Sequence, residues 1–153
     1  ILATVKKVQA AGINVIGNYI FGLPDDTEAS MNETLQLALA ARCEFANFYS
    51  AMAYPGSKLY TMAIEKGWKL PDSWIGYSQH SYETTPLPTE TLSGAQVLAF
   101  RDAAFQSYFR DPSYLYMIAA KFGSKVVEHI ERMVAVPLPR KLLDAALKRD
   151  MAL

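Results

Sequence analysis

Hydrophobic positions along this chain change period several times, and the changes mark its elements. Leu2, Val5 and Val8 fall at helical spacing, and Gly12 suits the end of that helix. Residues 13–21 (INVIGNYIF) are β-branched and aromatic between glycines, the composition of a strand. Ile13, Val15, Gly17, Tyr19 and Phe21 would share one side, with Asn14, Ile16, Asn18 and Ile20 on the other. Apolar residues on both faces predict a parallel strand covered on both sides, and two asparagines on one face suggest that it lines something polar. Met31, Leu35, Ala38 and Leu39 then form a helical stripe, opened by Asp25, Asp26 or Thr27 as cap with Glu28 in the first turn. Residues 45–53 (FANFYSAMA) read as a second strand, and YPGS at 54–57 turns into a helix closed by Gly67.

Helix, strand, helix, strand, helix is the rhythm of βα units on a parallel sheet. It stops near Trp68. Residues 68–92 hold Pro71, Pro86 and Pro88 without a clear period and read as a long connecting loop. Ser93 with Gln96 forms a capping box for a helix that places Val97, Arg101, Ala104, Phe105 and Tyr108 on one side. Asp111-Pro112 supplies the cap and first position of a helix to about Lys121; further helices are predicted over 124–134 and 140–149. Three segments follow: two βα units over 1–67, the loop over 68–92 and a helical extension over 93–153.

Composition narrows the functions. The chain has 153 residues, 51% of them hydrophobic, yet no window approaches ~18 uninterrupted apolar residues. Fifteen basic residues balance fifteen acidic ones, which removes the electrostatic footprint of a general nucleic-acid binder. Cys43 is the single cysteine, and His80 and His129 are the two histidines. A disulfide framework and a Cys/His metal site within one chain are therefore not expected. His80, in the loop with Tyr77, Tyr82 and Glu83, is weighed as a substrate contact against a solvated loop residue; His129, between Glu128 and Glu131, is expected to face solvent. Tyr114, Tyr116 and Phe122 are expected in the core. Arg140, Lys141, Lys148 and Arg149 flank Leu142, Leu143 and Leu147, an amphipathic pattern that suits packing on its own domain better than a membrane surface. Residue 1 reads as a cut inside a helix and the chain as a fragment of a longer, cytoplasmic protein.

The stretch from Ile20 to Thr27 carries the sharpest question. Ligands of parallel βα architectures collect at the carboxyl ends of strands. Gly22 would permit a flat ligand to approach the backbone, Pro24 stiffens the turn, and Asp26 could accept from an amine or a sugar hydroxyl. The same residues also make an ordinary βα connection. An acid–base role for the adjacent Asp25 and Asp26 ranks lowest, since neighbours on a cap rarely converge on one atom.

"IFGLPDDT", then "ETLQLALA", then "FANFYSAMAYPGSKLYTMAIEKG" resembles the later half of the radical S-adenosylmethionine (SAM) enzyme barrel, in the variants that carry an upstream cobalamin-binding domain. Residues 1–67 follow that order and spacing, and "LPTETLSGAQVLAFRDAAFQSYFRDPSYL" resembles the helical tail of cobalamin-dependent members. The resemblance implies an α/β fold, the later part of a parallel (β/α) partial TIM barrel followed by an α-helical extension. It implies that Ile20 and Gly22 contact the adenine of SAM, and that backbone at Ala51, Met52 and Ala53 reads the adenine edge. Asp26 stands where the family has Glu, Asp25 where it has Gly, a place where Asp would tolerate a left-handed backbone; Ser57 replaces a Thr. The resemblance also implies a [4Fe–4S] cluster on a Cys-x3-Cys-x2-Cys loop, which Cys43 alone cannot supply. The expected partner is the upstream remainder of the barrel. The edge of strand 13–21, with Ile16 and Ile20, is expected to drive self-association or to be covered by the tail. The rival reading is a non-catalytic α/β binding or scaffold module.

Overall fold

The computed structural model describes residues 1–150, the side chains of 146–150 excepted, so Leu147, Lys148 and Arg149 of the amphipathic tail lie outside the described side chains. Among the described residues the fold is α/β, with seven α-helices and a two-stranded parallel sheet. In chain order these are α1 (Leu2–Ala10), β1 (Ile16–Phe21), α2 (Glu28–Ala41), β2 (Phe45–Ser50), α3 (Lys58–Glu65), α4 (Gly94–Phe109), α5 (Pro112–Phe122), α6 (Ser124–Ala135) and α7 (Lys141–Asp150). A short 3-10 turn, Trp74–Tyr77, interrupts the 68–92 loop. Phe45 N–H donates to Val15 O and Ala51 N–H to Phe21 O, the same offset at both ends, so β1 and β2 run parallel with α2 as the crossover. Two strands do not close into a barrel.

Local signals set the boundaries. Ser57 Oγ accepts from Tyr60 N–H at the start of α3, and Asp111 Oδ1 from Tyr114 N–H at the start of α5, with Pro112 in the first turn. Ser93 and Gln96 exchange the two bonds of a capping box. Gly67, at φ +65, closes α3.

The chain divides into two compact units. The first comprises Ile1–Tyr19, Asn32–Phe48 and Asp102–Pro137. Its core is aromatic: Phe48, Tyr108, Phe109 and Tyr114 are buried and meet mostly edge to face, with Tyr108 and Tyr114 centroids 4.8 Å apart. The two buried tyrosines also bond the backbone that leads into β2. Tyr108 donates to Cys43 O at 2.6 Å, and Tyr114 to Glu44 O at 3.3 Å. Glu44 is 2% exposed; its carboxylate accepts from Lys121 Nζ at 2.7 Å, Val15 N–H at 2.8 Å and Gln9 Nε2 at 3.3 Å. Burial raises its pKa, but these donors outweigh burial and draw it down to about 2. Tyr116, expected in the core, is 79% exposed. It stands two residues from the buried Tyr114 and so points away from it on α5. Phe122 is half-buried beside Phe45. His129 is exposed.

The second unit comprises Ile20–Met31, Tyr49–Arg101 and Leu138–Leu153. Phe21, Met31, Val97 and Leu98 are buried in it, Phe21 edge-on to Phe100. Ala53, Ala63 and Leu87 pack with Leu59, Tyr60, Trp68 and Leu70. Along β1, Tyr19 is half-buried and Phe21 fully buried, while Ile16 and Ile20 are 58% and 49% exposed. The expectation that both faces of this strand are covered is therefore corrected: among the described residues one face is covered.

Candidate functional site

The carboxyl ends of β1 and β2 lie side by side in the second unit, joined by the 2.8 Å bond from Ala51 N–H to Phe21 O. That bond gathers Ile20, Gly22, Ala51, Met52 and Ala53 into one neighbourhood. Asp26 joins them by folding back: its Oδ2 accepts from Gly22 N–H and Leu23 N–H, each at 3.0 Å, and its Oδ1 from Ser30 Oγ at 2.7 Å. The carboxylate thus staples its own turn. Thr27 Oγ1 takes the capping role by accepting from Ser30 N–H. Asp25 is exposed and takes no part in this network. Its backbone is not left-handed either, since Arg42 is the non-glycine residue at positive φ among those described. The left-handed residue of the turn is Gly22, at φ +79.

Gly22 is needed for packing as much as for conformation. A Cβ built there would lie 2.4 Å from Val97 Cγ1, so α4 rather than a ligand fills the space a side chain would take. Ile20 on β1 and Leu23 in the turn are the exposed large apolar side chains of this stretch, at 49% and 45%.

At the end of β2 the backbone bonds divide the three expected residues. Gln79 clamps Ser50 from both sides, accepting from its N–H at 3.0 Å and donating to its C=O at 2.9 Å, as a neighbouring strand would. Ala51 is fully used: its N–H goes to Phe21 and its C=O accepts from Leu87 N–H at 3.2 Å. Met52 O accepts from Tyr54 N–H. Met52 N–H and both backbone groups of Ala53 have no partner among the described residues, although Met52 is 5% and Ala53 2% exposed. Buried backbone groups are almost always paired, so these two donors and one acceptor just beyond β2 stand open to a hydrogen-bonding partner. Sequence reasoning pointed at 51–53 as a block and missed Gln79, Leu87 and Val97, which decide which atoms stay free.

The chain's own residues do not fit an iron–sulfur cluster. Cys43 is 2% exposed, with Tyr19 Oη 3.8 Å from its sulfur, and it belongs to the core of the first unit. No group of three or more His, Cys, Asp or Glu residues suited to a metal occurs among the described residues. His80 is exposed, and its loop neighbours Tyr82 and Glu83 are bonded to Asp144 and Lys141.

No helix among the described residues is long and apolar enough to cross a membrane. No family model matches the chain. No solved structure matches it. A protein of Pyrococcus horikoshii named "Uncharacterized methyltransferase PH0819" is 31% identical over 74 residues, which are 48% of this chain and 16% of that protein. The match thus spans about a sixth of the relative's length, and over that stretch this chain is similar to that protein.

Proposed function

We propose that this chain supplies the adenine side of an S-adenosylmethionine site in a longer enzyme of the radical SAM kind. The observation that carries the reading is the unpaired, buried backbone at Met52 and Ala53 beside the Gly22 turn. Adenine presents an amino donor next to ring-nitrogen acceptors, which is the complement of an N–H and a C=O on one edge. Ile20 would cover a face of the base, Asp26 would hold the turn, and Gln79 would fix the level of the 51–53 backbone through Ser50. SAM would supply a methyl group or, cleaved by a reduced cluster, a radical for methylation or oxidative ring formation on an unreactive carbon. The similarity to a protein named a methyltransferase supports the first. The cluster's thiolates, and any cobalamin, would be held by residues outside this sequence, so the isolated chain is inert.

Calorimetric titration with S-adenosylhomocysteine tests the site. Saturable binding is expected, weakened about tenfold in Ile20→Glu, which puts a charge on an exposed position without touching the core. Absence of saturable binding, or the same affinity in the variant, would refute the reading. Anaerobic reconstitution with iron and sulfide should yield neither a stoichiometric cluster nor 5′-deoxyadenosine.

A second reading, a non-catalytic α/β module, draws on the exposure of Ile16 and Ile20, which suits a surface for protein contact.

A further inference from the structure

The 68–92 loop is irregular yet firmly held within the second unit. Ser81 Oγ donates to Ile75 O at 2.7 Å, Thr85 N–H to Gly76 O at 2.9 Å, and one Arg140 nitrogen to both Gln79 O and Ser81 O. These bonds fix the 3-10 turn Trp74–Tyr77. On that turn Tyr77 is buried, and the rings of both Tyr54 and Trp74 meet it. Tyr54 stacks at 5.8 Å and 26°, its hydroxyl donating to Tyr77 O, and Trp74 lies at 5.6 Å and 44°. The flanking rings are open: Tyr54 is 49% and Trp74 75% exposed.

A lone exposed aromatic residue requires no explanation, but three rings in series on a pinned backbone do. Rings already held in place lose little freedom when another ring stacks on them. Tyr54 directly follows Ala53, so one open ring stands next to the unpaired backbone edge. Tyr54 and Trp74, at 49% and 75% exposure, each leave ring surface open to a planar aromatic partner.

We propose that the Tyr54–Tyr77–Trp74 ladder is a stacking site for a flat aromatic ring of a small-molecule ligand. Ring binding stands on this geometry alone; making that ring the acceptor of the methyl group or radical rests on the SAM reading above.

Quinoline serves as the probe, followed by ligand-observed saturation-transfer NMR, with cyclohexanol as a saturated competitor. Trp74→Leu and Tyr54→Leu keep apolar bulk and remove one ring each, and circular dichroism confirms folding; Tyr116→Leu removes an equally open ring from the first unit. The expected result is about a fivefold loss of quinoline affinity in at least one ladder variant, the one that lacks the ring on which the probe stacks, the scale of one aromatic pair. Tyr116→Leu should bind as the parent does, and cyclohexanol should not compete. Unchanged affinity in both ladder variants, an equal loss in Tyr116→Leu, or effective competition by cyclohexanol would overturn the proposal. S-adenosylhomocysteine binding without quinoline binding would sink the ladder alone, and the reverse would sink the SAM reading alone.

Discussion

Glu44 is a buried carboxylate of the first unit, paired with Lys121 and bonded to the Val15 backbone. Replacing it with glutamine keeps shape and an acceptor for Val15 N–H, but removes the charge that faces Lys121. A carboxyl whose pKa falls from 4.5 to about 2 carries about 3 kcal/mol by linkage. Lys121 is about a third exposed and can turn to water, which lowers the expected cost to about 2 kcal/mol. The sign follows from the depressed pKa: this stability is present above the unfolded value of 4.5 and is lost as pH falls toward 2. Urea unfolding followed by circular dichroism near pH 7 should therefore show Glu44→Gln about 2 kcal/mol less stable than the parent, and the two should converge near pH 2. A difference below about 0.5 kcal/mol at neutral pH, or one that persists undiminished in acid, would refute the charge-pair argument.

Tyr108→Phe removes the buried hydroxyl that donates to Cys43 O and should cost about 1–2 kcal/mol in the same unfolding assay. Burial, followed by the nearby Cys43, holds the Tyr108 phenol far above its usual pKa, so alkaline absorbance titration of the parent should show this hydroxyl resisting ionisation until unfolding. Gly22→Ala places a methyl against Val97 at positive φ and should cost about 2–3 kcal/mol. Adding Val97→Ala should return only the clash, not the conformational part, when the double variant is compared with Val97→Ala alone. Self-association through β1 is expected from Ile16 and Ile20, each worth about 1.5–3 kcal/mol when buried. Sedimentation velocity across a dilution series should show it, and Ile16→Lys with Ile20→Lys should abolish it; a monomer at every concentration would contradict this.

Much of the fold was legible because it is written locally. Ser57, Ser93 with Gln96, Asp111-Pro112 and Gly67 act within one turn of their own position, and each does in the structure what its sequence context predicts. Met31, Leu35 and Ala38 sit where a helical period puts them. The misreadings come from choices made at long range. Residues 114–118 of α5 are apolar all round, so its pattern cannot say which tyrosine is buried; the Glu44 carbonyl and the aromatic neighbours choose Tyr114 over Tyr116. Asp26 is legible as a polar group in the turn after β1, but its commitment to Gly22 and Leu23 depends on how the turn folds back. Gln79 and the 3-10 turn carried no signal, because an irregular loop has no period and its bonds reach residues far along the chain. For the same reason the distinction between Ala51, which is fully paired, and Met52 and Ala53, which are not, appears only with Leu87 in place.

The most direct test of the SAM reading follows individual backbone amides by 1H–15N NMR during titration with S-adenosylhomocysteine. The account predicts saturable shifts that are largest at Met52 and Ala53, smaller at Ile20, and small at Ala51, whose N–H is already bonded to Phe21. Saturable binding that leaves Met52 and Ala53 unshifted, or no binding, would contradict it.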